Sequence, residues 1–179
     1  MIITISGKPG SGKSTMARMI AEKYKLKYYS TGDFFRAKAK EKNLSLKEFS
    51  TLSEKEREHD NDTDRWQTEL GKKEDNFVME GRLGHKFIEK AIKIYLDVDK
   101  ETGALRIMNE KREGEMMLDK THAISLWEHR VASEHERYSN YYDVNIHDHS
   151  QYDFVVDTSS LTRQEVFEKI CEFVDGVKK

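Results

Sequence analysis

The stretch that decides the fold of this chain is Ile2-Ile3-Thr4-Ile5-Ser6-Gly7-Lys8-Pro9-Gly10-Ser11-Gly12-Lys13-Ser14. A short apolar run, typical of a buried strand, leads into the pattern G-x-x-x-x-G-K-[ST], which is complete from Gly7 to Ser14. The glycines let the backbone curl so that successive N–H groups face a polyphosphate. An amphipathic stretch follows, and it predicts a helix that begins at about Ser14 with its positive end towards the same anion. The pattern therefore predicts a phosphate-binding loop between a strand and a helix.

The residue types in this loop indicate that it binds a nucleoside triphosphate. A lysine at the position of Lys13 reaches the β- and γ-phosphates, and a hydroxyl at the position of Ser14 holds a magnesium ion. Ser14 is therefore the predicted metal ligand. The predicted nucleotide-binding residues are Gly7, Lys8, Pro9, Gly10, Ser11, Gly12, Lys13, Ser14 and Thr15.

The composition fits one α/β domain that acts on small molecules. The chain has 179 residues and a formal net charge of −2, so it can bury a core and has no basic excess for a nucleic-acid backbone. Cys171 is the only cysteine, which excludes an internal disulfide and a cysteine zinc site. No segment approaches the ~20 apolar residues of a membrane helix, and the start lacks the basic residues of a signal peptide. We therefore expect a cytoplasmic protein without nucleic-acid or membrane partners. We also expect a monomer, although the sequence itself does not settle the oligomeric state.

Apolar runs of strand length recur along the chain, and helical patterns separate them. This alternation predicts an α/β fold with a five-stranded parallel sheet wrapped by helices. Because ligands bind at the carboxyl ends of parallel strands, Thr31 and the Glu80-Gly81-Arg82 segment should converge on the phosphate loop. The predicted strands are Ile2–Ile5, Lys27–Ser30, Phe77–Glu80, Ile92–Val98 and Phe154–Asp157.

Three segments resemble the nucleoside monophosphate kinases. Ser30-Thr31-Gly32-Asp33-Phe34-Phe35-Arg36 is similar to the segment where that family binds the phosphate of the acceptor. Phe77-Val78-Met79-Glu80-Gly81-Arg82 resembles the strand end of cytidylate kinases. Arg130, Glu134 and Arg137 form R-x-x-x-E-x-x-R, similar to the lid signature of the same enzymes. The resemblance covers essentially the whole chain and is greatest to the short, archaeal-type cytidylate kinases.

This resemblance implies a P-loop NTPase fold with NMP-binding and lid insertions in one domain, 1–179. The implied core comprises 1–30, 75–101 and 150–179, the NMP-binding insertion about 31–74 and the lid about 102–149. The implied activity is transfer of the γ-phosphoryl group of ATP to CMP and dCMP, with Mg²⁺ as cofactor.

The resemblance also assigns roles to residues. Arg130 and Arg137 are seven residues apart and so share one helix face, from which their planar groups can grip phosphate oxygens. The implied catalytic residues are Lys13, Arg82, Arg130 and Arg137. The implied substrate-binding residues are Thr31, Arg36, Asp64, Arg65, Gly81, Arg82 and Glu134.

The base of the acceptor needs its own hydrogen-bonding partners. Asp60, Asp64 and Arg65 match a D-x-x-x-D-R pattern of the archaeal-type enzymes. A carboxylate is a natural partner for the exocyclic amine of cytosine. We therefore predict that Asp64 and Arg65 read the base.

Some roles stay open at this point. Glu80 can hold the water shell of magnesium or orient Arg82, and the resemblance slightly favours the second role. Arg106 and Arg112 can each bracket the phosphates or the base of ATP. Lys8 stands where such loops usually carry a small residue or proline, and we expect little consequence from it.

The acceptor and the reaction class also have alternatives. Thr31-Gly32-Asp33 occurs in adenylate kinases as well, so an adenylate or uridylate kinase remains open. A P-loop ATPase that acts as a nucleotide switch with a protein or RNA partner is the alternative from another class. A metal site at His147 and His149 is disfavoured because the pair lacks a third fixed ligand.

Overall fold

The computed structural model describes residues 1–45, 48, 49, 52, 58–109 and 119–177. Its centre is one parallel sheet of five strands in the order β2-β3-β1-β4-β5, which confirms the predicted architecture. The strands are β1 Ile2–Gly7, β2 Lys27–Ser30, β3 Phe77–Glu80, β4 Ile92–Asp97 and β5 Phe154–Asp157. β1 continues past the predicted end at Ile5 because Ser6 and Gly7 still pair with Tyr95 and Leu96 of β4.

Helices connect and cover these strands. They are α1 Lys13–Tyr24, α2 Thr31–Glu41, α3 Glu58–Lys73, α4 Gly84–Phe87, α5 Lys100–Asn109, α6 Lys120–Tyr142 and α7 Arg163–Val177. A short 3-10 helix, His149–Gln151, precedes β5. α1 begins one residue before the predicted start, so the positive end of the helix lies directly behind the phosphate loop. Within the described ranges, no helix is long and apolar enough to cross a membrane.

The pattern [ST]-x-x-E predicts capping boxes that begin at Ser45, Ser53 and Thr162, and the first and last of these are present. The Ser45 N–H donates to the Glu48 carboxylate at 2.8 Å, and the Glu48 N–H donates back to the Ser45 hydroxyl at 3.2 Å. Thr162 and Glu165 make the same reciprocal pair just before α7, at 2.7 and 3.2 Å. These bonds satisfy N–H groups that a helix start would otherwise leave open. The box predicted from Ser53 lies outside the described residues.

The two faces of the sheet carry different layers. Ile3 and Ile5 of β1 point to the layer formed by α1 and α7, where Cys171 is buried as a packed thiol. Ile2 points to the opposite layer, where Leu70 of α3 and Ile88 pack against it. This alternation follows from the period of two along a strand. A further cluster of α5 and α6 residues, with Val98 after β4, lies beyond the carboxyl end of that strand.

Candidate active site

The phosphate loop is held by close backbone packing. Gly10 has φ +76°, and a Cβ added there would lie 2.3 Å from the carbonyl oxygen of Gly103 in α5. A Cβ on Gly103 would in turn lie 2.6 Å from Nε1 of Trp127. Trp127 donates from Nε1 to the Pro9 carbonyl oxygen at 2.9 Å. Two glycines therefore let α5 touch the loop, and an indole from α6 fixes the loop carbonyl.

Lys13 lies buried at the centre of the loop. Its ammonium group donates to the Lys8 carbonyl oxygen at 2.6 Å. Burial and the nearby Arg82 charge hold the pKa of Lys13 well below its usual value. The hydroxyl of Ser11 is buried and has no hydrogen-bond partner among the residues described. A buried ammonium and an unpaired hydroxyl in a glycine-rich loop before a helix start suit an anion of several phosphates.

Glu80 faces the loop rather than Arg82. One of its carboxylate oxygens accepts a hydrogen bond from the Ser14 hydroxyl and the other from the Tyr28 hydroxyl, both at 2.9 Å. Burial and Glu80 raise the pKa of Tyr28 to about 12, so the phenol stays protonated as a donor. Ser14 and Glu80 thus bring oxygen ligands of the kind that magnesium prefers to one point. This geometry favours the first of the two roles left open for Glu80.

Arg82 is held by Glu134 of α6 instead. Nε and Nη2 of Arg82 donate to the two oxygens of Glu134 at 2.7 and 3.0 Å, in a bidentate pair. Arg130 donates to the same carboxylate at 3.2 Å. Burial would raise the pKa of Glu134, but the Arg82 and Arg130 charges lower it to about 2. The pair with Glu134 joins the segment after β3 to the middle of α6.

Arg137, the third predicted lid residue, lies one turn further along α6. Its guanidinium stacks over the Tyr138 ring at 4.8 Å and donates to the Tyr138 hydroxyl at 2.8 Å. Arg130 and Arg137 share the helix face predicted from their spacing, with Glu134 between them.

The predicted acceptor segment lies beside the end of β3. The Thr31 hydroxyl donates to the Glu80 carbonyl oxygen at 3.2 Å. A Cβ added to Gly81 would lie 2.5 Å from that same hydroxyl oxygen, so Gly81 leaves the space that Thr31 uses. Arg36 pairs with Asp33 at the rim, where both side chains are more than half exposed. Thr31 and Gly81 therefore meet, while Arg36 lies exposed and pairs with Asp33.

The predicted base-reading residues separate in the structure. Asp64 accepts a hydrogen bond from the Tyr142 hydroxyl at 2.6 Å, so the end of α6 meets α3 there. Arg65 is exposed, since the next residue on a helix points about 100° away. The structure thus brings Asp64, but not Arg65, towards α6. The side chain of Asp60 lies outside the described part of the chain.

Three residues have contacts at the loop that the sequence left open or missed. Arg106 donates to the Thr158 carbonyl at 2.7 Å and to the Gly10 carbonyl at 3.5 Å, so it lies beside the loop. Lys8 pairs with Asp97 at the end of β4 at 2.7 Å. An aromatic residue of the implied lid, such as Trp127, predicts only packing within that segment. Its loop contact depends on the fold, and no local pattern signals it. Arg112 lies outside the described residues.

Comparison with known proteins gives consistent results over the whole chain. A model of the cytidylate kinase-like family matches residues 2–160. A cytidylate kinase of Methanocaldococcus jannaschii is 40% identical over 184 residues, which span 100% of both chains. A cytidylate kinase of Archaeoglobus fulgidus is 39% identical over 100% of this chain and 97% of its own.

Solved structures share the fold at lower identity. An uncharacterized protein from Eubacterium ventriosum superposes with a TM-score of 0.71 at 20% identity, over 98% of each chain. A shikimate kinase from Bacteroides thetaiotaomicron superposes with a TM-score of 0.68 at 14% identity, again over 98% of each. At these identities, the similarity concerns the arrangement of the backbone alone.

Proposed function

The chain belongs to the cytidylate kinase-like family, and from this membership and its site we propose that it transfers the γ-phosphoryl group of ATP to CMP and dCMP. The observation that carries the proposal is the meeting of Arg82 and Arg130 at Glu134. Arg82 lies just after β3, beside the proposed acceptor segment, and Arg130 lies in α6. Both charges act on the pKa of Lys13, so three cations surround the place where phosphate would transfer.

Such a site needs little covalent chemistry. Phosphoryl transfer requires in-line positioning and neutralisation of negative charge on the moving group. Loop N–H groups and Lys13 would bind the phosphates of ATP, while Thr31 and Arg36 would hold the phosphate of the acceptor. That phosphate oxygen is already ionised at neutral pH, so no general base is needed. Arg137 would turn from Tyr138 to the transferring group.

Magnesium would fit between Ser14 and Glu80, because their oxygens already lie 2.9 Å apart at the end of the loop. When bound there, Mg²⁺ would offset the charge of the β- and γ-phosphate oxygens. The acceptor arginines do not favour the nucleotide-switch alternative, and the cytidylate kinase relatives do not favour the adenylate or uridylate kinase alternatives.

The acceptor is tested by coupled ADP release with ATP and Mg²⁺. CMP, dCMP, UMP, AMP and GMP are compared at equal concentrations. We expect turnover with CMP and dCMP to exceed turnover with the other monophosphates at least tenfold. Turnover led by AMP or UMP would reassign the acceptor. ATP hydrolysis that no monophosphate stimulates would support a nucleotide switch.

Replacing Lys13 tests the phosphate loop. Lys13→Ala removes the ammonium that would bridge the phosphates, and we expect the transfer rate to fall by about 10³-fold or more. Circular dichroism should show an unchanged fold. Lys23→Ala, an exposed lysine on the same helix, is the matched control and should keep full activity. Near-normal transfer by Lys13→Ala would contradict the assignment of the loop.

A further inference from the structure

Gln67 of α3 has a buried amide oxygen with no partner in the described part of the chain. The residue is 2% exposed, and its Nε2 donates to the Thr63 carbonyl oxygen at 3.4 Å. Its Oε1 has no hydrogen-bond partner. A buried acceptor left open in this way costs about 1–3 kcal/mol. This oxygen would be stabilised by a hydrogen-bond donor, and the position of Gln67 indicates the direction from which that donor would approach.

Gln67 lies level with the end of β3. Residues 74–76 join α3 to β3, so the helix runs back along the strand. Gln67 precedes Lys73 by six residues, a rise of about 9 Å along the helix. Glu80 follows Phe77 by three residues, a rise of about 10 Å along the strand. Gln67 is therefore at the height of the acceptor segment.

The neighbours of Gln67 on the same helix face fix its direction. Asp64, one turn before it, bonds Tyr142 of α6. Gly71, one turn after it, would place a Cβ 3.1 Å from Ile88, just beyond α4. Residues three and four apart share a helix face. Gln67 thus faces the region where the end of α6 meets the segment from Gly81 to Ile88, and Phe87 contacts Tyr142 there.

We propose that Gln67 determines acceptor specificity by accepting a hydrogen bond from the exocyclic amine of the CMP base. This inference rests on the proposed function. The bond to Thr63 uses the amide nitrogen and leaves the oxygen to face the base. Cytosine presents an amine there, whereas uracil presents a carbonyl oxygen that cannot donate. A buried acceptor facing that carbonyl stays unpaired, which is how such a site rejects the wrong base.

The test uses the full-length enzyme and the ratio of kcat/KM for CMP to kcat/KM for UMP. Gln67→Met keeps the length of the side chain and removes the acceptor. We expect the ratio to fall at least about tenfold, chiefly through CMP, with the KM for ATP unchanged. Gln67→Glu keeps an acceptor oxygen, and we expect it to retain the preference for CMP. Gln67→Ala removes the acceptor with a different packing change and serves if the methionine variant fails to fold.

Leu70→Met is the matched control, because it alters the same buried helix face without touching the amide. It should leave the CMP to UMP ratio unchanged. Folded Gln67→Met or Gln67→Ala with an unaltered ratio would overturn the proposal, since the amide would then serve packing alone. The wild-type acceptor panel separates the two failures: a wild type that ignores CMP refutes the proposed function. If the wild type prefers CMP and the Gln67→Met variant keeps the same CMP to UMP ratio, only this inference is refuted.

Discussion

At the scale of single residues, the missing side chain of Gly81 sets the position of the Thr31 hydroxyl. Thr31 reaches the Glu80 carbonyl only because Gly81 has no side chain, since a Cβ there would lie 2.5 Å from the Thr31 hydroxyl oxygen. Both residues lie in the proposed acceptor segment. A clash at this point would displace the hydroxyl that is proposed to hold the acceptor phosphate.

Gly81→Ala tests this reading. We expect the KM for CMP to rise by about tenfold or more, while the KM for ATP stays within about twofold, because the added methyl group displaces Thr31 and not the loop. Steady-state kinetics with each substrate varied in turn give the two constants. Gly176→Ala is the control, since a Cβ there meets nothing within 4 Å among the residues that the structure describes. Equal rises in both constants would contradict the local effect.

Residue patterns predicted one half of the site better than the other. The loop from Gly7 to Ser14 follows from a motif in which local sequence fixes the backbone, whereas the Arg82 segment was singled out by its resemblance to a family. Gln67 and Trp127 could not be singled out, because an unpaired amide and an indole bonded to a loop carbonyl depend on how distant elements meet. The sequence correctly placed Glu80 at the carboxyl edge of the sheet. It could not show which groups bond Glu80, because Tyr28 and Ser14 come from other elements.

At the scale of elements, α6 connects the phosphate loop with the segment after β3 and with α3. Trp127 near its start holds the Pro9 carbonyl, Glu134 in the middle holds Arg82, and Tyr142 at the end reaches Asp64. The three contacts lie along a helix of 23 residues. Any shift of α6 therefore moves groups at the phosphate loop and at α3 together.

Removing the first of these contacts should weaken the loop. Trp127→Phe keeps an aromatic ring but leaves the buried Pro9 carbonyl without its donor, at a cost of about 1–2 kcal/mol in the free energy of unfolding. We expect the KM for ATP to rise severalfold with a smaller change in the KM for CMP. Urea unfolding and steady-state kinetics measure the two effects. Trp66→Phe is the control for ATP, and an unchanged KM for ATP in Trp127→Phe would mean that the bond only supports packing.

The elements themselves show which sequence signals suffice. Buried parallel strands appear in a sequence as short apolar runs. The predicted ends of all five strands lie within a few residues of the observed ends. The sequence did not predict the short helix α4 before β4, because Gly84–Phe87 is too short to show a helical period. The pairing of α5 with α6 was likewise not foreseen, since it depends on the contact of Gly103 with Gly10 and Trp127.

At the scale of the whole molecule, buried imidazoles link stability to pH. His85 of α4 is 5% exposed and its Nε2 lies 3.2 Å from Oε1 of Gln151. Burial lowers the pKa of His85 to about 4. Burial and the Lys8 charge lower the pKa of His147 to about 4 as well. Both are therefore neutral in the folded protein where the unfolded chain already binds protons.

The sign of the effect follows from this difference. The unfolded imidazole has a pKa of about 6.5, so the unfolded chain takes up protons first as pH falls and stability decreases between about pH 6.5 and pH 4. We expect His85 to account for about 1–2 kcal/mol of the loss in unfolding free energy between pH 7 and pH 5. Urea unfolding at both pH values measures it. His85→Gln should flatten the dependence, whereas His129→Gln, an exposed control, should leave it intact; equal slopes would contradict the assignment.

The positions of the two tryptophans give the proposed ATP site and the proposed acceptor site separate optical signals. The chain has only Trp66 and Trp127. Trp66 stacks on Phe34 of α2 at 4.5 Å, close to the acceptor segment, and Trp127 touches the loop carbonyl of Pro9. Indole emission responds to local polarity and contact, so a variant that keeps one tryptophan reports on one substrate. Fluorescence titrations of such a pair would reveal whether donor and acceptor enter in a fixed order, without labels and without turnover.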